Sequence, residues 1–458
     1  MRMVSAILLV GILLGVRLVP AWAQAPSQES SSQDQLQVAQ AAPAPGSGTG
    51  TAAGTGTEKP ASEGPYSGDL WSRSTMTGDW GGFRNTMAAK GITLDSDFTQ
   101  IAQSVVSGGL DIGWKYQGRG QITLNVDTGK AGLWPGGFLT VQAEGNYGED
   151  VNLDAGSLIP VNLSATFPTT GHAQFVLPHW YFTQFFSEYV GVFLGKLDTT
   201  TGDANNFAHG KGDTQFFNMA FNFNPVGALI FPYATLGAGL IVLPTKDPKQ
   251  LMVSIMVSNP TGQADNVGFD TLFATGAVIS GSARLTTNFF DLTGHQSVGF
   301  GYSTMKYVSL DQRVANLIIP RLPVSQHDGS WGFFYNFDQY VYQPEKGVDR
   351  GLGVFGRFGA SDGVANPLKY FFSGGVGGKG LIPARPLDQF GIGYYYGTVG
   401  DAEIPKKLGF RDTQGFEAYY NFYATPWAQV TPDFQIVRPS QQRVDTAYVV
   451  GLRVRLVF

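Results

Sequence analysis

The end of the sequence constrains the fold more than any other segment. Along residues 448–458, an apolar row of side chains alternates with a row that contains two arginines, which is the pattern of a β-strand with two different faces. A soluble sheet would bury the apolar row, whereas a transmembrane barrel turns it to lipid and turns the arginines to the lumen. The apolar row is Tyr448, Val450, Leu452, Val454, Leu456 and Phe458, and the other row is Val449, Gly451, Arg453, Arg455 and Val457.

Three observations favour the barrel. The segment has about ten residues, the length that crosses a bilayer when a strand is tilted, and it stops at the aromatic residue Phe458. Aromatic residues cluster near strand ends, as an interfacial girdle requires. The chain has no cysteine, so no disulfide framework points to a secreted soluble fold. We therefore predict that Arg453 and Arg455 face water inside a barrel.

The same period of two recurs from about Ile92 onward and predicts an all-β, antiparallel fold. Charged residues make up only 14% of the chain, against roughly 25% in ordinary soluble domains, which suits an outer face without charge. Only residues 226–244 are long and uncharged enough to suggest a membrane helix, but Pro232 and three glycines favour two strands around a turn. Apolar rows of other predicted strands are Ile122, Leu124 and Val126; Val298, Phe300 and Tyr302; Phe333, Tyr335 and Phe337; and Phe416, Ala418, Tyr420 and Phe422.

The N-terminal region predicts export. Residues 1–23 have a basic start, an apolar stretch and Ala21-Trp22-Ala23 before Gln24, which is typical of a signal peptide. Cleavage there removes two arginines, leaving 28 basic and 35 acidic residues, a net charge of −7 that argues against nucleic acid as a partner. Residues 24–66 are rich in Ala, Pro, Gly, Ser and Thr and predict a disordered periplasmic tether.

A short helix is predicted over residues 80–90, between the tether and the first strand. Asp79 is the expected N-cap and Gly91 the expected stop. Trp80, Phe83 and Met87 would share one face of this helix. We expect it to form an end-cap that packs against a larger structure.

Several short motifs, in order from about residue 70 to the end, resemble the carbohydrate-selective porin (OprB) family. The resemblance implies a sixteen-stranded barrel over residues 67–458, located in the bacterial outer membrane, through which small sugars diffuse passively. It also implies outer-membrane lipid and sugars as partners, and leaves a homo-oligomer open. The motifs are Met76-Thr77-Gly78-Asp79-Trp80-Gly81-Gly82-Phe83-Arg84, Gly195-Lys196-Leu197-Asp198, Ala365-Asn366-Pro367-Leu368-Lys369-Tyr370, Gly378-Lys379-Gly380-Leu381-Ile382-Pro383-Ala384-Arg385 before Asp388, Glu417 with Tyr420, Pro426-Trp427, and Thr431-Pro432-Asp433-Phe434-Gln435.

The sequence departs from the family at one functional point. The resemblance implies an arginine at the pore constriction soon after an early strand, but residues 141–147 contain none. Glu144, Asn146 and Tyr147 from this stretch are the candidates for solute contact, because sugars need hydrogen-bonding groups and aromatic faces. Lys196 and Asp198, at the end of a predicted strand, are placed either in the lumen or at the rim of the barrel.

Other functions lack a supporting pattern. The five histidines are scattered, so no metal site is predicted, and no catalytic residue or cofactor site is assigned. The glycine-rich segment 375–380 lacks the strand–loop–helix context of a dinucleotide loop, and its glycines are expected to relieve crowding in a bent strand. Two alternatives stay open: the same barrel conducting organic acids or ions, and a secreted all-β glycan-binding protein or hydrolase.

Overall fold

The computed structural model describes residues 64–168 and 174–458. The predicted signal peptide, and the predicted tether up to residue 63, lie outside these residues. Residues 64–66, which were also assigned to the tether, lie at the start of the described chain. Tyr66 is buried there, with its ring 3.9 Å from the guanidinium carbon of Arg84.

The described residues form seventeen strand segments and a few short helices. The strands are β1 (Ile92–Gly109), β2 (Gly113–Asp127), β3 (Gly137–Gly148), β4 (Gln174–Val176), β5 (Trp180–Phe185), β6 (Val190–Asp198), β7 (Ala234–Val242), β8 (Leu251–Ser258), β9 (Val278–Phe289), β10 (Leu292–Val308), β11 (Gln326–Tyr342), β12 (Gly351–Ser361), β13 (Leu368–Lys379), β14 (Gln389–Val399), β15 (Thr413–Thr425), β16 (Ala428–Arg438) and β17 (Asp445–Val457). The α-helices are α1 (Phe83–Ala89), α2 (Asn152–Ala155), α3 (Met219–Asn222), α4 (Val314–Ile318) and α5 (Glu403–Lys407), and the 3₁₀-helices are Thr199–Thr201 and Pro225–Leu229.

These strands form one closed antiparallel barrel. Each strand pairs with its neighbours in sequence, and β1 pairs with both β2 and β17, so the sheet has no free edge. β4 and β5 pair with different stretches of β3 and together occupy one position in the wall. The barrel therefore has sixteen strand positions, the number that the family resemblance implied.

The two rows of each strand face opposite sides of the wall, as the period of two predicted. In β17, Tyr448 and Leu452 are exposed on the outside, whereas Val449 and Arg453 are buried inside the barrel. The apolar rows of β2, β10, β11 and β15 point outward in the same way. The fold is a barrel with an apolar outer surface and a polar interior.

The two ends of the barrel differ in the length of their connections. At the end where β1 begins and β17 ends, strands are joined by short turns, such as residues 290–291 and 426–427. Long connecting segments, including residues 149–168, 199–233, 259–277 and 309–325, lie at the opposite end. In outer-membrane barrels the short turns are periplasmic and the long loops extracellular, so we use these names for the two ends.

The predicted helix before β1 exists but is shorter than expected. It spans Phe83–Ala89 and follows Gly82, which has a left-handed backbone conformation (φ 88°), so Asp79 is not its N-cap. Gly91 (φ 73°) follows its end, as predicted. The expected apolar face was wrong, because Phe83 is 60% exposed and the buried side chain of the helix is Arg84.

The prediction for residues 226–244 was also partly wrong. One strand, β7, lies there instead of two, and a 3₁₀-helix at Pro225–Leu229 precedes it inside the barrel. Asn224 begins this helix by accepting a hydrogen bond from the main-chain N–H of Val226. Within residues 64–168 and 174–458, no helix is long and apolar enough to cross a membrane.

Candidate pore constriction

The inner surface of the first strands is polar. Period-two alternation directs six polar side chains of β2 and β3 into the barrel, and each is at most 9% exposed. Register places the two rows side by side, with Gln121 opposite Glu144 and Arg119 opposite Asn146. The six residues are Gln117, Arg119, Gln121, Gln142, Glu144 and Asn146.

Two long extracellular connections fold back into the barrel. Residues 151–168 and 199–233 carry buried apolar side chains that pack against inward residues of β11–β15. The wall accommodates them with glycines: a Cβ added at Gly353 would lie 2.1 Å from the ring of Phe207, and one at Gly393 would lie 2.5 Å from the ring of Phe221. We call residues 199–233 the inner loop; it narrows the lumen.

Buried charged side chains hold the inner loop in place. The carboxylate of Glu417 on β15 accepts hydrogen bonds from the main-chain N–H groups of Phe217 (2.5 Å) and Asn218 (3.0 Å). The guanidinium of Arg453 on β17 donates to the carbonyl oxygens of Gly212 (2.6 Å) and Gln215 (2.9 Å). Both side chains bond to the backbone of the loop, so they fix its path independently of its side chains.

Where the inner loop approaches β2, β3 and the end of β6, a cluster of opposite charges forms. We define the constriction cluster as Arg119, Glu144, Asp198, Lys211 and Asp213. Glu144 pairs with Arg119 and lies 3.0 Å from the Nζ atom of Lys211. Lys211 also contacts Asp198 (2.5 Å), and Arg119 contacts Asp213 (2.8 Å).

The charges of the constriction cluster are compensated within the protein. All five side chains are at most 3% exposed, and charged groups at this burial are stable only when paired and hydrogen-bonded. The hydroxyl of Tyr233 donates a further hydrogen bond to Glu144. Burial lowers the pKa of Lys211, which belongs to the inner loop and not to a strand, to about 8, and neighbouring Arg119 acts in the same direction.

Beside this cluster, a cavity of about 220 Å³ lies between the inner loop and the wall formed by β5–β11. Its wall side carries small hydroxyl residues, including Ser254, Ser282 and Ser297. Aromatic rings, including Phe231 from the inner loop and Phe334 from β11, face the same space. The cavity therefore offers hydrogen-bonding groups and apolar ring faces together.

Three of the candidates from the sequence lie inside the barrel near the constriction. Glu144 and Asp198 belong to the constriction cluster, on either side of Lys211. Asn146 also points inward, where its amide donates to the carbonyl oxygens of Ser164 (3.1 Å) and Pro168 (2.9 Å). Asn146 thus supports the connection after β3, and Asp198 also lines the cavity.

Two other candidates do not lie in the lumen. Tyr147 points to the outer surface, where its hydroxyl bonds to Gln100 (2.8 Å) and its ring covers Gly118, because residues of odd number on β3 face outward. Lys196 lies at the outer rim beneath the connection 259–277, whose carbonyl oxygens at Ala264 (3.2 Å) and Asn266 accept from its Nζ atom. Lys196 and Asp198 therefore do not form a pair.

The two arginines of β17 face inward as predicted, but only one is close to solvent. The Arg453 side chain is 1% exposed because the inner loop covers it, so the expectation that it faces water was wrong. Arg455 is nearer the periplasmic end, pairs with Asp97 on β1 at 3.0 Å, and keeps 18% exposure of its side chain.

Sequence reasoning missed most of the residues around the constriction. Arg119 was not predicted, because the candidates were taken from residues 141–147, whereas Arg119 lies on the preceding strand beside Glu144. Continuing the polar row of β2 from Thr123 back to Gln121 and Arg119 would have found it. Lys211 and His179 lie in connections, and no periodicity indicates that these segments fold inward. Among the residues described, no group of three or more His, Asp or Glu side chains could hold a metal ion.

A closed barrel with an apolar outer surface, a polar interior and an inward-folded loop defines a porin, a channel protein of the outer membrane. The model of the carbohydrate-selective porin, OprB family matches residues 113–458, and the chain belongs to this family. It is therefore a porin of the bacterial outer membrane, as the resemblance of the sequence motifs implied.

Individual relatives are distant but cover most of the chain. Porin B of Pseudomonas aeruginosa is 22% identical over 424 residues, 84% of this chain and 91% of that protein. The putative porin QuiX of Acinetobacter baylyi is 22% identical over 437 residues, 85% of this chain and 95% of that protein. The high-pH structure of OprB from Pseudomonas putida superimposes with a TM-score of 0.74 at 22% identity, over 85% of this chain and 99% of that one, which supports the fold.

Proposed function

We propose that this porin lets small neutral carbohydrates, mono- and oligosaccharides, diffuse passively down their concentration gradients. The observation that carries the proposal is the lining of the cavity beside the inner loop, where hydroxyl groups and aromatic rings face one space. Hydroxyl groups can exchange hydrogen bonds with a sugar, and aromatic rings can cover the apolar face of its ring. Such contacts are individually weak, which suits a channel because the solute must also leave.

The balance of charge beside the cavity favours neutral solutes. The constriction cluster contains three carboxylates and two cations, and the guanidinium of Arg453, which comes from β17, lies next to it against the inner loop. Each of these charges is engaged by a partner inside the protein, so little free charge of either sign faces the cavity. An organic anion or cation would give up hydration there without gaining a strong partner. A neutral sugar loses less.

The proposal needs no catalytic residue and no cofactor, since the gradient drives transport. Outer-membrane lipid and the transported sugar are sufficient partners, and nucleic acid has no role. The cavity and the constriction cluster lie within one barrel, so a homo-oligomer would consist of separate pores working side by side.

Liposome swelling tests the choice of solute. Liposomes containing the purified protein should swell faster in glucose than in gluconate, which has a similar size and one negative charge. Sucrose should also enter, more slowly than glucose. Entry of gluconate at the rate of glucose or faster would contradict the carbohydrate assignment and would favour the alternative of an organic-acid channel in the same barrel.

A charge variant tests whether the constriction cluster lies on the path of the solute. Glu144→Gln removes one carboxylate near the cavity and should reduce the preference for cations over anions in single-channel reversal potentials, most clearly at low salt. Glu149→Gln is the matched control, because Glu149 is 67% exposed at the extracellular end of β3, outside the constriction cluster, and pairs with Lys115. Equal reversal potentials for both variants would show that the constriction cluster does not lie on the path of the solute.

A further inference from the structure

One histidine beside the cavity has an unusual environment. His179 lies between β4 and β5, is 2% exposed and lines the cavity next to the inner loop. Its Nδ1 atom lies 2.6 Å from the main-chain nitrogen of Asp198 and accepts that N–H. A ring nitrogen that accepts a hydrogen bond carries no proton, so the proton of the neutral ring is on Nε2. His179 is therefore a donor at Nε2.

This donor is buried and has no partner among the residues described. The Nε2 atom of His179 makes no hydrogen bond within residues 64–168 and 174–458. Its ring is fixed on the other side by an edge-on contact with Tyr181, with 4.8 Å between ring centroids. Turning the ring to find another partner would break the bond from Asp198, whose carboxylate is itself held by Lys211. A buried donor without a partner is costly, which points to a group that arrives from outside.

The surroundings of His179 indicate which chemistry that group has. The same cavity is lined by serine hydroxyls, with Ser254 and Ser282 bonded to each other at 2.8 Å, and by the aromatic rings of Phe231 and Phe334. An N–H donor needs an acceptor oxygen, and serine hydroxyls can both donate and accept. A neutral polyhydroxy ring meets all of these groups at once, whereas a simple cation cannot accept from the imidazole.

We propose that His179 is a specificity-determining residue that donates a hydrogen bond from Nε2 to a hydroxyl oxygen of a sugar held in this cavity. The inference deepens the proposed function and rests on it. It assigns the sugar contact to the side of the lumen formed by β5–β11, next to the constriction cluster and separate from it. Asp198 connects the two, since its main chain orients His179 and its side chain belongs to the cluster.

Two substitutions separate the roles of the ring nitrogens. His179→Asn keeps an acceptor near the position of Nδ1 for the Asp198 N–H but removes the donor at Nε2. His179→Gln can place an amide N–H near the position of Nε2. In planar bilayers, the concentration of glucose that half-reduces the KCl current should rise about two- to tenfold in His179→Asn, the effect of losing one neutral hydrogen bond. His179→Gln should show a smaller rise, with the current of each variant normalised to its own KCl conductance without sugar.

Cavity and non-cavity serines provide the matched control. Ser297→Ala removes a hydroxyl from the cavity and should also weaken the effect of glucose. Ser373 on β13 has a buried hydroxyl without a partner in the described chain, as Nε2 of His179 does, but Ser373 does not line the cavity. Ser373→Ala should therefore behave as wild type. If His179→Asn does not fold, Ser297→Ala and Phe231→Leu carry the test, and unchanged glucose titrations in both would overturn the proposal.

The outcomes distinguish this inference from the proposed function. A wild-type protein that admits no neutral sugar overturns both. A wild-type protein that responds to glucose, with His179→Asn responding at the same concentration, overturns the role of His179 and leaves the sugar porin intact. If Nε2 of His179 bonds only to water, His179→Asn should respond to glucose at the same concentration as the wild type.

Discussion

The guanidinium group of Arg84 donates a hydrogen bond to the main-chain carbonyl oxygen of Phe458, over 3.0 Å. The same group contacts Asp95 (2.9 Å) and the carbonyl oxygen of Leu94 (2.7 Å) at the start of β1. Arg84 therefore joins the helix before the barrel to β1 and to the end of β17, the two strands whose pairing closes the wall. Its side chain is 2% exposed.

Arg84→Met should loosen the closure of the barrel. The substitution keeps much of the apolar volume but leaves several part-buried acceptors without this donor, which should cost about 2 kcal/mol of stability. The measurement is the temperature at which the folded form converts to the unfolded form on a heat-modifiability gel. The exposed Lys90, at the C-terminal end of the same helix, provides the control Lys90→Met. Equal transition temperatures for both variants would show that Arg84 does not support the closure.

The sequence predicted the wall of this barrel better than its interior. Alternation in β2, β10, β11, β15 and β17 fixed which residues face outward, because the period of two follows directly from strand geometry. The start of β1 at Ile92 was likewise visible as a change of period. Family motifs then supplied the number of strands, which alternation alone does not give.

The interior could not be predicted in the same way, because it depends on segments without regular periodicity. The inner loop is held by Glu417 and Arg453, which lie at least 199 residues away in sequence from the loop groups they bond. Arg453 looked like a solvated lumen residue because alternation reports the face of a strand and not what packs on that face. Tyr147 was chosen for its aromatic ring and hydroxyl, which suit a sugar pore. Its odd-numbered position on β3 places it on the outer face of the wall.

Leu452→Arg should test the outward orientation of β17. Leu452 is 45% exposed on the outer face, near the middle of its strand, where an arginine in contact with lipid should cost about 2–4 kcal/mol. We expect less folded protein on the heat-modifiability gel. Leu452→Trp should fold normally, because lipid imposes no fixed neighbours on that side. Severe misfolding of Leu452→Trp would indicate a packed protein core there instead of lipid.

Gly353→Val should displace the inner loop. A Cβ atom at this position would overlap the ring of Phe207, at 2.1 Å, and overpacking of this kind costs about 1–3 kcal/mol. The expected result is a lower transition temperature together with noisier single-channel currents, because the inner loop loses its packing contact with the wall at this position. Gly120→Ala is the control, because its Cβ would meet only the ring of Phe98 at an ordinary 3.5 Å. Single-channel currents as quiet as those of the wild type in Gly353→Val would show that the packing of Phe207 does not affect the pore.

Lys211 should make the ion selectivity depend on pH. Burial lowers its pKa to about 8, so the side chain loses its charge as the pH rises from 7 to 9. Glu144 and Asp198 then face one cation fewer, and the pore should become more selective for cations. Reversal potentials in a KCl gradient, recorded at pH 7 and pH 9, measure this change.

The stability of the folded barrel should not decrease over the pH range in which the ion selectivity shifts. The folded-state pKa of Lys211 lies below the ordinary value of 10.5, so between about pH 8 and 10.5 the unfolded chain binds more protons at this residue. The contribution of Lys211 to stability therefore increases with pH, and the shift in selectivity should occur without loss of folded barrel. Lys211→Arg keeps its charge across the range and should abolish the shift, whereas Lys211→Met should show the high-pH selectivity already at pH 7. A shift that persists in Lys211→Arg would assign the titration to another group.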